Sequence, residues 1–99
     1  MNPKAIRRTK IVATVGPASE SEDLIARLIA AGVNVFRLNF SHGTTAKHVK
    51  VAERIRKQAS IAGQYVGILA DLQGPKIRVG AFRNGSIELD VGDRFRLDL

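Results

Sequence analysis

The chain has 99 residues, of which 44% are hydrophobic and 25% charged, which is typical of one small folded domain rather than a disordered chain. It has no cysteine, which excludes disulfides and thiolate chemistry, and no apolar run approaches the roughly 18 residues of a membrane-spanning helix. The net charge of +7 favours anionic partners. Because the basic residues are dispersed and no base-stacking motif is present, phosphorylated small molecules fit better than nucleic acid. We expect a soluble, cytoplasmic protein with no membrane segment.

The first predicted elements are a strand and a helix. Residues 10–15 are mostly apolar and rich in β-branched side chains, and Gly16-Pro17 stops this strand. Ser19 and Glu22 match a capping box, so the spacing predicts that a helix begins at Ser19. Gly32 is a typical helix end. The predicted buried stripe of this helix consists of Leu24, Ile25, Leu28 and Ile29.

The stretch 34–43 predicts a second strand that changes from apolar to polar along its length. In an extended chain Arg37, Asn39 and Ser41 point to the same side. A buried strand that delivers a guanidinium, an amide and a hydroxyl at its carboxyl end is typical of an active-site wall. The alternative is a strand-to-helix loop in which Arg37 and Asn39 only cap and solvate, and His42 lies near a helix start.

A second helix and a third strand follow. Thr44 or Thr45 is the predicted cap of the helix, Gly63 ends it, and residues 65–70 form the strand, which ends at Asp71. The predicted buried side of the helix consists of Val49, Ala52, Ile55 and Ala59. Alternating strands and helices predict an α/β fold with parallel strands, either a βα barrel or a doubly wound sheet. In both, ligands bind beyond the carboxyl ends of the strands.

The character of the sequence changes after Asp71. Residues 76–79 predict a short strand, and residues 83–86 predict a hairpin turn between strands at 78–82 and 87–89. Val91-Gly92-Asp93 predicts a second turn. Residues from 76 onward therefore predict the start of a separate antiparallel β module.

The polar residues at the predicted strand ends suggest anion and cation binding. Arg37 is the best anion ligand because its planar fork matches two phosphate oxygens, and Arg78 is a candidate for a second fork. Asn39, Ser41 and Asp71 together offer oxygen ligands for a hard cation. The alternative for Asp71 is a turn-capping role before Gly74-Pro75.

Three blocks of this sequence resemble the first three conserved blocks of the pyruvate kinase family, in the same order and spacing. They are Thr9–Ser19, Asn34–Gly43 and Ala70–Arg78. The resemblance implies an incomplete (βα)₈ TIM barrel, with its first three βα units in residues 1–75, followed by the start of an antiparallel β-barrel lid domain in residues 76–99. It also implies transfer of a phosphoryl group from phosphoenolpyruvate to ADP, giving pyruvate and ATP, with Mg²⁺.

The resemblance also implies roles for individual residues. Arg37 matches the arginine that binds the transferring phosphate. The implied nucleotide contacts are Pro17, Asn39, Phe40, Ser41, His42 and Arg78. The implied monovalent-cation cage consists of Asn39, Ser41, Asp71 and the backbone carbonyl of Leu72. A cytoplasmic homotetramer with small-molecule substrates, and without nucleic acid or membrane partners, is further expected from the family.

Lys76 departs from the family pattern, because many potassium-dependent members have a glutamate at this place. An ammonium there supplies the positive charge that a bound K⁺ would otherwise supply. At an effective dielectric of about 20, two unit charges about 4 Å apart interact with roughly 4 kcal/mol before desolvation. We therefore predict that K⁺ is dispensable and that Lys76 replaces it.

The family's catalytic lysine, its magnesium-binding acidic pair and its proton-donating threonine belong to later barrel strands. No catalytic residue is therefore assigned in this chain, and we expect a 99-residue N-terminal fragment that is inactive alone. Two alternatives are a lyase or aldolase barrel acting on phosphoenolpyruvate or pyruvate, and a non-catalytic basic binding module. The lid-like β module weighs against the lyase.

Overall fold

A computed structural model describes residues 7–75 and 77–98 of the chain. Strands and helices alternate in the order β1 (Val12–Val15), α1 (Glu22–Ala31), β2 (Val35–Asn39), α2 (Thr45–Ala62) and β3 (Gly67–Asp71). The predicted α/β order is confirmed. The first and third strands begin two residues later than predicted, because the chain enters the sheet only where its backbone pairs with β2.

Helix α1 begins two residues later than its capping-box pattern predicts. The N-cap is Ser21, whose side chain accepts a hydrogen bond from the backbone N–H of Leu24. The prediction of Ser19 as the cap is wrong, because Ser19 belongs to the preceding turn. Its N–H donates to Gly16 O at 2.9 Å, and its Oγ accepts from Gly16 N at 3.0 Å. The predicted end at Gly32 is confirmed by a φ of 112° there.

The three strands form a parallel sheet in the order β1-β2-β3. Thr14 lies opposite Arg37 in the register of β1 and β2, and Asn39 lies opposite Asp71 in the register of β2 and β3. Because side chains alternate along a strand, these four residues share one face of the sheet. We call it the polar face, and define it by Thr14, Arg37, Asn39 and Asp71.

Both helices cover the opposite face. Phe36 and Leu38 of β2 are 0% and 4% exposed, and they belong to one apolar core with residues of both helices. The helix residues of this core are Ile25 and Ile29 of α1 and Val51, Ile55 and Ala59 of α2. The prediction that Val49 is buried is wrong, because the stripe of α2 runs through positions 51, 55 and 59 and leaves Val49 51% exposed. In the described residues, neither helix combines the length and apolarity needed to cross a bilayer.

The amino ends of the strands are joined through Asn34. Its Oδ1 accepts hydrogen bonds from the backbone N–H of Ile11 at 2.8 Å and from Nη2 of Arg7 at 3.2 Å. Its backbone carbonyl accepts from the N–H of Gly67 at 2.9 Å. Asn34 therefore connects the starts of all three strands, at the end of the sheet opposite to Asp71.

Residues 77–98 contain turns but no strand. The predicted turns are present: Gly85 N donates to Phe82 O at 3.0 Å, and Asp93 N donates to Asp90 O at 3.1 Å. The strands predicted at 76–79, 78–82 and 87–89 are not formed over the described residues. An isolated hairpin is marginal without a covered face, and the side chains of Ile77 and Val79 are 103% and 64% exposed. The domain division between residues 75 and 76 stays a prediction.

Candidate functional site

Arg37 is the centre of the polar face and contacts both neighbouring strands. Its Nε donates to Asp71 Oδ2 at 2.9 Å, and its Nη2 donates to the same oxygen. Its Nη1 donates to Thr14 Oγ1 at 3.2 Å. The side chains of Arg37 and Asp71 are 32% and 46% exposed, so a ligand from solvent can reach the guanidinium. The predicted placement of Arg37 and Asp71 on one side of the sheet is confirmed by this contact.

Asn39 shapes the loop that leads from β2 to α2. Its Oδ1 accepts a hydrogen bond from the backbone N–H of Ser41 at 3.0 Å, and its carbonyl accepts from the N–H of His42 at 3.2 Å. The side chain thus folds the loop back over the end of its own strand. Gly43 follows with a φ of 75°, a conformation that favours glycine, and Thr44 caps α2. The sequence left Thr44 and Thr45 as alternatives, and the structure selects Thr44.

His48 closes the same loop, a role that the sequence pattern does not predict. Its Nε2 lies 2.7 Å from the carbonyl oxygen of His42, and it must donate because that oxygen only accepts. The imidazole also stacks on Phe40, with ring centroids 4.4 Å apart. The available signal was the position of His48 in the first turn of α2, four residues after its cap. Phe40 thus orders the loop by packing, with its ring covered by His48.

Pro17 lies apart from Arg37, on the loop between β1 and α1. It borders an open cavity of about 460 Å³ whose lining does not include Arg37 or Asp71. Arg54 of α2 closes one side, where its Nη1 donates to Glu20 O at 2.8 Å. This cavity is therefore bounded by the loop between β1 and α1, the start of α1 and the side chain of Arg54. The group formed by Arg37, Asp71 and Thr14 is the better candidate site, because it brings two charged, partly exposed side chains and a hydroxyl together from all three strands.

Neither Arg78 nor Leu72 forms a hydrogen bond with Arg37 in the part of the chain that the structure describes. Arg78 is exposed and has no hydrogen bond or ion pair to the described residues. The side chain of Leu72 is exposed as well, at 72%. Lys76 lies outside the described residues. Among residues 7–75 and 77–98, no three His, Asp or Glu side chains are grouped to hold a metal ion.

The arrangement around Arg37 is suited to binding an anion. The guanidinium is held at the carboxyl end of a parallel sheet, where ligands of α/β proteins bind. A model of the pyruvate kinase barrel domain matches residues 6–99 of this chain. The chain belongs to the pyruvate kinase family. The resemblance of its three sequence blocks is thus confirmed.

Individual pyruvate kinases match closely over this region. The enzyme named pyruvate kinase of Haemophilus influenzae is 54% identical over 95 residues, covering 96% of this chain and 20% of the relative. Pyruvate kinase 2 of Synechocystis is 56% identical over 93 residues, covering 92% of this chain and 16% of the relative. The crystal structure of Cryptosporidium parvum pyruvate kinase superposes with a TM-score of 0.73 at 40% identity, covering 81% of this chain and 17% of that one.

The chain thus spans a fifth or less of the length of these pyruvate kinases. Family membership disfavours the two alternatives, a lyase or aldolase barrel and a non-catalytic basic module, because the match extends over nearly the whole chain. The α/β fold with parallel strands is that of the pyruvate kinase barrel domain.

Proposed function

We propose that this chain is the N-terminal segment of a pyruvate kinase that transfers a phosphoryl group from phosphoenolpyruvate to ADP. Arg37 binds the transferring phosphate. The observation that carries this proposal is the placement of Arg37, whose partly exposed guanidinium is held by Asp71, the last residue of β3, and by Thr14 of β1. Phosphoryl transfer depends on positioning the phosphate and neutralising its charge, and a fixed guanidinium does both.

The proposed architecture is the first part of a (βα)₈ barrel, residues 1–75, followed by the start of a lid domain, residues 76–99. Both helices cover one face of the sheet, as helices do outside a barrel. The polar face then corresponds to the barrel interior, whose carboxyl end bears the active site. Strands β1 and β3 are the two edges of the described sheet, where further barrel strands would pair.

Nucleotide contacts are proposed on the loop that follows β2. Asn39, Phe40, Ser41 and His42 lie there, and the turn held by Asn39 and His48 fixes their backbone. Pro17 and Arg78 complete the proposed set by their sequence match. Mg²⁺, which neutralises phosphate charge during transfer, would be held by the family's acidic pair, which the resemblance assigns to later strands of the barrel. The complete protein is proposed to act as a cytoplasmic homotetramer.

The proposed cation cage is formed by Asn39, Ser41, Asp71 and the carbonyl of Leu72. Asn39 and Asp71 fit such a role, since they are partners in the register and carry oxygens on the same face. The carboxylate of Asp71 already faces one cation, the guanidinium of Arg37. Lys76 follows Asp71 five positions later in the sequence and adds one further positive charge to this segment. This charge balance supports a pyruvate kinase that works without K⁺.

The proposal that the enzyme works without K⁺ is tested by reversing the charge at position 76. The full-length enzyme is assayed in tetramethylammonium buffer, with and without KCl. We expect less than twofold activation of the unaltered enzyme by K⁺, and at least tenfold activation of Lys76→Glu, because a glutamate restores the uncompensated negative charge. Lys76→Arg, which keeps the charge, serves as the control and should stay independent of K⁺. Strong activation of the unaltered enzyme by K⁺ would refute the proposal.

The proposed function is tested by assaying the full-length protein for pyruvate formation. We expect formation of pyruvate that requires both phosphoenolpyruvate and ADP, and none from the 99-residue chain alone. Arg37→Ala should lower kcat/KM for phosphoenolpyruvate by about 100- to 1000-fold, because charge-assisted hydrogen bonds to the phosphate are lost. Arg27→Ala is the matched control, since Arg27 is exposed on α1 and has no polar partner in the described residues. Pyruvate release that does not require ADP would contradict the proposal.

A further inference from the structure

The hydrogen bonds that Arg37 makes to its neighbours leave two of its N–H groups for a ligand. A guanidinium carries five N–H groups in a planar fork. Two of them, on Nε and Nη2, are directed to Asp71 Oδ2, and one on Nη1 is directed to Thr14 Oγ1. The two that remain lie one on each terminal nitrogen. These are the donors that a phosphate can accept together.

We propose that Asp71 and Thr14 are positioning residues for Arg37, an inference that rests on the proposed function of Arg37. Asp71 holds the Nε side of the fork from β3, and Thr14 holds Nη1 from β1. Both partners lie on the polar face because of the strand register. The guanidinium is therefore already oriented before the anion binds. Arg37 then loses less side-chain entropy on binding than an unrestrained arginine would.

Asp71 would have the opposite effect on phosphate binding if it acted on Arg37 only through its charge. A carboxylate beside a guanidinium competes with an incoming phosphate for the same positive charge. Removing that carboxylate would then strengthen anion binding. A positioning residue has the opposite effect, because its loss leaves the fork free to rotate. The sign of the change in phosphoenolpyruvate affinity thus separates the two roles.

The first test is Asp71→Asn in the full-length enzyme, which keeps the shape of the side chain and removes its charge. We expect KM for phosphoenolpyruvate to rise about tenfold, while kcat and KM for ADP change less than threefold. Asp23→Asn, on the exposed first turn of α1, is the matched control and should leave all three constants unchanged. An unchanged or lowered KM for phosphoenolpyruvate would overturn the proposal.

The second test uses Thr14, where the substitution is nearly isosteric and does not touch a charge. Thr14→Val removes the acceptor and should raise KM for phosphoenolpyruvate about threefold, since one neutral hydrogen bond is lost. Thr14→Ser retains the hydroxyl and should restore the original value. Equal effects of valine and serine would show that Thr14 acts by packing rather than by holding Arg37, and would overturn its assignment.

The third test asks whether Asp71 acts through Arg37. In an Arg37→Lys background the fork is absent, so adding Asp71→Asn should change KM for phosphoenolpyruvate less than twofold. A residue that only ligates a cation would instead show its full effect in both backgrounds, which would overturn the proposal.

Different measurements test the proposed function and the positioning role of Asp71 and Thr14. An unaltered enzyme without ADP-dependent pyruvate formation would contradict the function. The Arg37–Asp71 contact is followed independently in the 99-residue chain, by the NMR signal of the Arg37 Nε–H group. We expect this signal to be protected from exchange with water and to lose that protection in Asp71→Asn. An unprotected signal in the unaltered chain would overturn the positioning role whatever the enzyme's activity.

Discussion

Asn34 stabilises the start of the sheet through one side-chain oxygen, which accepts hydrogen bonds from Ile11 N and from Arg7. We predict that Asn34→Ala lowers the free energy of unfolding of the 99-residue chain by about 1–2 kcal/mol, because the N–H of Ile11 loses its side-chain acceptor and Arg7 keeps only its hydrogen bond to the carbonyl of Gly32. Urea unfolding followed by circular dichroism measures this change. Asn34→Asp keeps the acceptor and should lose less stability than the alanine variant.

The matched control for this prediction is Asn84→Ala. Asn84 lies exposed in the turn that precedes Gly85, and it has no polar partner in the described residues. Its substitution should change the free energy of unfolding by less than about 0.5 kcal/mol. Equal losses at positions 34 and 84 would show that the hydrogen bonds of Asn34 do not contribute.

The sequence predicts which residues share a face more reliably than it predicts their partners. The two-residue period of a strand places Arg37 and Asn39 together, and the structure agrees. The contact between Arg37 and Asp71 depends on how β2 and β3 align, a relation between segments 34 residues apart that the period does not contain. The role of His48 was not predicted for a related reason. The periodicity of a helix does not show which loop carbonyl one of its histidines will contact.

Helix α2 is attached to the sheet by a narrow apolar stripe on an otherwise charged helix, and Ile55 is at its centre with 0% exposure. We predict that Ile55→Ala lowers the free energy of unfolding by about 2–5 kcal/mol, because it leaves a cavity between α2 and β2. Ile61→Ala is the control on the same helix. Ile61 is 71% exposed, so its substitution should cost less than about 0.5 kcal/mol. Comparable losses from the two variants in urea would contradict the observed orientation of α2.

The existence and order of the helices and strands as far as Asp71 were predicted correctly, whereas some of their details were not. Ser19 and Ser21 both have the chemistry of an N-cap, and only the turn formed with Gly16 decides between them. In α2, the burial of Val51 instead of the predicted Val49 depends on the rotation of the helix about its axis. That rotation is fixed by contact with Phe36 and Ile25 in the core, which is tertiary information.

At the scale of the whole molecule, the polar face continues into exposed apolar side chains. Val12 of β1 is 55% exposed and Leu69 of β3 is 44% exposed, both on the side of the sheet away from the helices. The Cα radius of gyration of the chain is 19.3 Å, whereas a compact domain of this size has a radius of gyration of about 13 Å. The chain is therefore more extended than a compact domain. In the proposed barrel this face is covered by the strands that complete the ring.

A charge placed on this face should have a different effect in the 99-residue chain, where the face is exposed, than in the full-length enzyme, where the proposed barrel covers it. Leu69→Lys places a charge on an edge strand, which is a common protection against strand pairing. In the 99-residue chain it should therefore reduce concentration-dependent association, measured by sedimentation velocity. In the full-length enzyme the same substitution buries a charge inside the barrel, and it should lower the thermal midpoint by several degrees.

Ile61→Lys controls for the general effect of an added lysine, because it lies on an exposed side of α2 rather than at a sheet edge. It should leave the association of the 99-residue chain unchanged, because a lysine on a helix surface does not protect an edge strand from pairing. A full-length enzyme whose thermal midpoint is the same with leucine or lysine at position 69 would mean that this face stays in water. The closed ring of strands would then be the wrong architecture, since Leu69 must lie inside it.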